Sequence, residues 1–267
     1  MNQGILFGLA AILSMIPATI GSFRRWETRD SMVWTLLLVA FAGPTALVAA
    51  QLLAGDWKTS FSMALWVTVS VTLLLFLGVV AASAQGWRLT PLLLPYLVGL
   101  AFLALIWQAV PGKPVHETAV PIWLQAHIVI SVITFATLTL AAVAALAAFV
   151  QERALKKKAP TRLTRLLPSV HDSEILVVRL LTATEVVLGL GLATGIEAQI
   201  KATGDLIVFD HKTLFSLAAF LVIGWLLAAH HLTGVRGRRA ARFVLAAFLL
   251  LFLAYPGVKF VSDVLLG

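Results

Sequence analysis

Six histidines, one acidic residue deep in an apolar run and one nearby arginine are the side chains of this sequence best placed to do chemistry. The histidines are His116, His127, His171, His211 and the adjacent pair His230 and His231. Neutral imidazole is the commonest metal ligand. His127, Ser131, Thr134 and Leu138 follow i, i+4, i+7, i+11 spacing and so share one face of a helix. Three polar residues on one stripe of an apolar helix turn away from lipid, toward neighbouring helices. His127 is then either a ligand or a source of interhelical hydrogen bonding. His211 stands in Phe209-Asp210-His211-Lys212, a polar helix start. There Asp210 either caps free backbone N–H groups or orients its neighbour. Two histidines such as His127 and His211, facing each other across adjacent helices with His116 close by, can ligate one haem iron axially.

The remaining candidates have a plain and a functional reading. His230 and His231 precede Thr-Gly-Val-Arg-Gly-Arg-Arg. They either interact with helix-end carbonyls or mark a second haem or haem-entry site. Glu185 lies well inside an apolar run, where an ionisable group costs about 2.5–3.5 kcal/mol on insertion scales. A structural hydrogen bond from Thr182, Thr184 or another helix competes there with a proton or ion relay. Arg179 is six residues earlier, about 600° around a helix, so it does not share a face with Glu185.

Composition says what holds these groups. The chain has 267 residues, no cysteine, 12% charged and 60% apolar residues, and a mean hydropathy of +0.98. A soluble domain carries about a quarter charged residues. The shortfall excludes an ordinary soluble enzyme, a disordered chain and a disulfide scaffold. Without cysteine there is no thiol redox chemistry, thiolate-held iron–sulfur cluster or covalent haem attachment. No nucleophile–base pair, phosphate-binding glycine loop or zinc-spaced motif is present, so no catalysed reaction is expected.

About 20 apolar residues span a bilayer. That length gives eight spans, at 4–22, 32–53, 61–82, 91–110, 122–150, 175–200, 212–231 and 243–265. The expected fold is therefore all-α: a single transmembrane domain over 1–267, a bundle of eight helices. Between the spans, fourteen Lys and Arg residues fall on one side and five on the other. Positive charge favours the cytoplasm, which puts both termini outside. The first apolar segment agrees, because its basic flank at Arg24 and Arg25 follows it rather than precedes it. The net charge of +8 is thus a topology signal, not a nucleic-acid one. The basic loop at about 151–174, with its ERALKKKAPTRLTR run, reads as an exposed cytoplasmic linker that could also touch anionic lipid. Trp26, Trp57, Trp87 and Trp123 fall near span ends, where indoles settle at the headgroups. Pro17, Pro44, Pro95 and Pro256 read as kinks.

Several of these residues resemble a known family. Trp123-Leu124-Gln125-Ala126-His127-Ile128, followed by Phe135-Ala136-Thr137-Leu138, is similar to the W-L-x-x-H-V…Y-A-x-L stretch of the cytochrome c assembly superfamily, which includes the CcsA, CcmC and HemX types. Arg179 with a Thr194-Gly195 turn resembles its R…S/T-G segment. Phe209-Asp210-His211-Lys212-Thr213 lies where its tryptophan-rich loop ends in W-D-P-K-E-T. His230 or His231, with Gly234–Arg239, resembles its histidine and basic G-R turn. The resemblance covers about 120–242 and is nearest to the short HemX/YpjD-like branch. It implies non-covalent haem b at the external face of a bacterial inner membrane. His127 stands in the position of a ligand, and cytochrome-assembly or haem-pathway membrane proteins are the implied partners. The sequence departs from the pattern in having no tryptophan between Gly195 and Thr213, and no second external histidine in Phe260–Gly267. Two other readings stand beside haem handling: a scaffold of the same fold without haem, and a transporter or ion pathway using Glu185.

Overall fold

The structure, a computed structural model, describes residues 3–24, 30–53, 58–109, 113–114, 122–203, 211–234 and 237–261. Its helices are α1 (Gln3–Ser22), α2 (Ser31–Leu53), α3 (Phe61–Ala82), α4 (Thr90–Ile106), α5 (Ile122–Lys156), the short α6 (Arg162–Leu166), α7 (Val170–Thr203), α8 (His211–Thr233) and α9 (Gly237–Phe252). A π turn at Leu253–Gly257 extends α9 into α10 (Val258–Phe260). Among the described residues, eight helical segments are long and apolar enough to cross a membrane, so the expected all-α membrane bundle is observed. Among the described residues the extended structure is a two-residue antiparallel pair. In it β1 (Lys58–Thr59) meets β2 (Lys113–Pro114), tying together the connections before α3 and α5.

Helices prevail because hydrocarbon offers backbone groups no partner but the chain itself. Hydroxyls follow the same rule. Those of Thr68, Thr72 and Thr139 donate to carbonyls four residues back, at 2.8, 2.7 and 2.8 Å. Ser62 crosses instead to the Ala104 carbonyl at 2.7 Å and ties α3 to α4. The bundle is built around α5, of whose most apolar stretch 72% is buried, against 17% for α8. Helix α5 packs against α3, α4, α7 and α9. Its buried alanines, among them Ala141, Ala144, Ala145 and Ala148, let neighbouring backbones come close.

The boundaries depart from the sequence reading mostly at the end rich in Arg and Lys. Segment 151–174 is not a continuous linker: α5 runs on to Lys156, α6 follows, and α7 starts at Val170. Its basic residues Lys156, Lys157 and Lys158 are exposed, but Thr164 and Leu167 are buried. The Gln151 side-chain amide donates to the carbonyls of Thr164, Leu167 and Pro168 at 2.8, 3.3 and 2.9 Å. Thr161 and Thr164 form a reciprocal capping box at the start of α6.

Helix α9 begins at Gly237, six residues before the expected 243. Its arginines interrupt the apolar pattern without interrupting the helix. Gly237 has φ +64°, and its N–H donates to a Glu174 oxygen at 3.1 Å. A Cβ at Gly237 would lie 2.9 Å from Glu152 Oε2. Helices α5 and α7 therefore each present a carboxylate to the positive end of α9.

At its other end Pro256 sits in the π turn; proline has no N–H for an α-helical ladder. The expected end at 265 lies outside the described residues. Pro17, Pro44 and Pro95 are inside α1, α2 and α4. Helix α4 stops at Ile106, followed by a 3-10 turn over Trp107–Ala109 rather than continuing to 110. Trp87 is buried, with the Arg88 guanidinium 5.3 Å from its ring centroid. Trp123 is exposed, and Trp26 and Trp57 lie outside the described residues.

Replacing Gln151 by Ala removes the donor shared by three carbonyls at the α6 corner. The expected loss is about 1–3 kcal/mol, read as a lower thermal midpoint in mild detergent. An unchanged midpoint would show that water serves those carbonyls equally well.

Candidate functional site

His127 lies in the second turn of α5 and faces α7. Its Nδ1 is 3.1 Å from the Gly191 carbonyl oxygen and 3.4 Å from Thr194 Oγ1. The ring reaches the α7 backbone because two glycines, four residues apart, clear the way. A Cβ on Gly195 would stand 3.0 Å from His127 Cε1, and one on Gly191 would stand 3.3 Å from Ile130 Cγ2. A carbonyl only accepts, so Nδ1 donates. In the neutral ring the lone pair is then on Nε2, which makes no hydrogen bond among the described residues. The two sequence readings of His127 are thus compatible: one ring nitrogen joins α5 to α7 and the other is left to bind.

The rest of the polar stripe is self-contained. Ser131 and Thr134 donate to the carbonyls of His127 and Ile130, at 2.7 and 2.8 Å. With His127 they line a cavity of about 410 Å³ enclosed by α5, α7, α8 and the end of α9. Phe135, Leu188, Leu192, Leu251 and Tyr255 make its wall largely apolar, while Gln199, Lys212, Thr213 and Ser216 add polar groups. Such a body with a few placed polar groups is the usual make-up of a small-molecule site. Lys212 forms no ion pair among the described residues. Nearby, Lys201 pairs with Glu197 at 3.1 Å and lies 4.6 Å from the Trp123 ring centroid.

The other candidates scatter. His211 is the exposed first residue of α8 and does not line the cavity; the next two residues, Lys212 and Thr213, do. Successive helical residues are turned by about 100°, so a one-residue step changes the face. The structure therefore does not bring His211 and His127 together. His116 and Asp210 lie outside the described residues. His230 and His231, with ring centroids 5.4 Å apart, are at the far end of α8, about 28 Å along its axis from His211. There the Gly234 N–H, at φ +66°, closes the helix on the His230 carbonyl at 3.1 Å. Arg179 is exposed on α7.

Glu185 is different. Its Oε2 is buried and has no hydrogen-bond partner, and its Oε1 lies 2.8 Å from where a Cβ on Gly224 would be. Thr182 and Thr184 do not serve it: they donate to the carbonyls of Val178 and Leu180. Leu188, one turn further along α7, is in the cavity wall.

Sequence reasoning passed over Gly191, Gly195 and Lys212. The first two form a small-x-x-x-small pair whose spacing was the available signal. Thr194-Gly195 resembles a turn in sequence but is interior to α7. Gly195→Ala places a methyl against the imidazole. We expect the Nδ1–Gly191 bond to be lost and the tautomer to become mixed, seen in ¹⁵N spectra of labelled His127. An unchanged single tautomer would mean that the glycine is not what seats the ring.

Residues 57–266 match the cytochrome C assembly protein family. A 28.8 kDa protein of Azospirillum brasilense, from a nifR3-like 5′ region, is 52% identical over 272 aligned residues covering all of both chains. The inner membrane protein YpjD of Escherichia coli K12 is 28% identical over 254 residues, 94% of this chain and 93% of its own. No solved structure matches. With its cavity and histidine inside the matched region, the chain belongs to the cytochrome C assembly protein family.

Proposed function

We infer that this protein handles haem: it binds haem b non-covalently in the α5–α7–α8 cavity, with His127 as the iron's protein ligand, in support of cytochrome c or respiratory-complex assembly. The observation that carries the reading is the unpartnered Nε2 of a tautomer-fixed histidine in the wall of an apolar cavity. Among the described residues no three His, Asp or Glu side chains gather to hold a bare metal ion. A lone imidazole instead suits a metal that arrives with its own equatorial chelate. Haem would supply there a redox-active, transferable iron.

The chain's own groups have definable parts in this. The Gly191 carbonyl, accepting from Nδ1–H, orients the imidazole. Phe135, Leu188, Leu192 and Leu251 give the cavity body an apolar lining. Lys212 offers a cation to the carboxylates of an amphiphilic ligand. A single protein ligand replaces the pairing with His211. The name of the Escherichia coli relative and the eight spans support an inner-membrane location. The excess of Lys and Arg at the opposite end supports an external-facing cavity and external termini.

Protein purified in mild detergent is expected to take up added haem with a Soret band. His127→Ala should lose the band and His211→Ala should keep it. A wild type that stays colourless with added haem would sink the reading and leave a haem-free scaffold. Lys212→Met should weaken haem binding about tenfold, as for a lost charged hydrogen bond, yet leave haem dimethyl ester unaffected. Equal effects on both would remove the carboxylate role.

A second reading rests on one observation, the buried, unpartnered Oε2 of Glu185. A carboxyl so placed in a membrane helix is a default candidate for carrying a proton. Glu185→Gln should then abolish proton flux in proteoliposomes with haem content unchanged; a flux indifferent to the substitution excludes this role.

A further inference from the structure

The basic end of the bundle holds a second cleft, separate from the histidine cavity. It has a volume of about 370 Å³ and is lined by Phe23, Arg162, Arg165 and Leu166. Phe23 is the first residue past α1, at the level where that helix ends. Arg162 and Arg165 are three residues apart on α6, so they are neighbours on one face. Both are exposed, and neither has an ion-pair partner among the described residues. Among the described acids, Asp172 accepts from Ser169, Glu174 from the Gly237 N–H, Asp30 from the Val33 N–H, and Glu152 pairs with Lys156.

Two uncompensated guanidiniums over an apolar floor are a specific combination. Guanidinium presents forked donors that match phosphate oxygens. Phe23 and Leu166 offer no polar partner and suit a hydrocarbon neighbour. The support is rigid as well. Buried Thr164 and Leu167, the Gln151 amide and the Thr161–Thr164 capping box fix α6 from its inner side. The backbone that carries the two arginines is thus held in place, and neither guanidinium has an ion-pair partner among the described residues.

We propose that the Phe23–Arg162–Arg165–Leu166 cleft binds the phosphate group of an anionic phospholipid, with the guanidiniums on the phosphate and the two apolar side chains against the glycerol and acyl start. The site gives the basic segment a ligand rather than a mere topological charge. It stands independently of the haem reading.

The test is native mass spectrometry of the full chain in mild detergent, titrated with short-chain phosphatidylglycerol or phosphatidylcholine. Wild type should prefer phosphatidylglycerol by about tenfold, in line with two basic groups at a lipid surface. Arg162→Gln with Arg165→Gln should remove the preference. Lys157→Gln with Lys158→Gln, an equal charge change on exposed residues, should keep it. Arg162→Lys with Arg165→Lys retains the charge without the fork, and should keep only part of it. An unchanged preference in the double glutamine variant, or an equal loss in the lysine-to-glutamine control, overturns the proposal. Displacement by inorganic phosphate with no preference between the two lipids would assign the guanidiniums to a soluble phosphate and overturn the lipid assignment.

Discussion

Inside hydrocarbon a polar group has to find its partner within the chain, and most features of this structure follow from that constraint. Backbone groups satisfy it by forming helices. Serine and threonine hydroxyls satisfy it by bonding four residues back, as Ser131 and Thr134 do beside the cavity. His127 cannot bond back in that way, so its Nδ1 needs a carbonyl from another helix, and Gly191 supplies it. The contact fixes how closely α5 and α7 approach, which ring nitrogen carries the proton and which nitrogen is left over. A histidine used for adhesion alone would leave the same nitrogen unpaired, but would have no need of a cavity beside it.

The cavity exists because helices that touch at one level separate at another. Gly191 and Gly195 bring α7 against the His127 ring, while α8 is the least buried span and borders the same space. The fourth side comes from the end of α9. Pro256 lies in a π turn there, and two residues of that turn, Ala254 and Tyr255, face the cavity. A regular α-helix would rotate these positions differently, since a π turn adds a residue to the local repeat. The proline read from sequence as a kink therefore belongs to the shape of the wall.

The spans were legible because twenty apolar residues in a row admit few alternatives, and their number and order match the structure. The basic end was less legible. Gln151, Thr164 and Arg238 look like linker residues by type. Yet Gln151 is committed to three carbonyls, Thr164 accepts from the N–H of the Thr161 cap of α6, and Arg238 lies 5.7 Å from the Phe149 ring centroid. Polar type alone does not distinguish a solvated side chain from one satisfied internally. At the site, His127 was readable from its stripe. His211 was readable from its chemistry; the structure places it as the exposed first residue of α8, while Lys212 and Thr213 line the cavity. The two glycines carry no chemistry of their own. They matter through what they allow another residue to do, which a search by reactive side chain passes over.

The two ends of the bundle use charge in opposite ways. At the basic end, Glu174 of α7 accepts from the first N–H of α9, and Gln151 closes the α6 corner. These interactions lock helices together and fix the spacing of the whole bundle. At the other end His127, Ser131, Thr134, Lys212 and Ser216 are among the polar residues that line the cavity. The family's tryptophan-rich haem platform has no equivalent between Gly195 and Thr213, where no tryptophan occurs. The apolar wall available in the cavity is helix-borne, with Phe135, Leu192 and Tyr255 among its side chains. Such a wall is set by packing within the bundle. Residues that fix the basic end thus also help set the dimensions of the cavity at the other, because α5, α7 and α9 run through both.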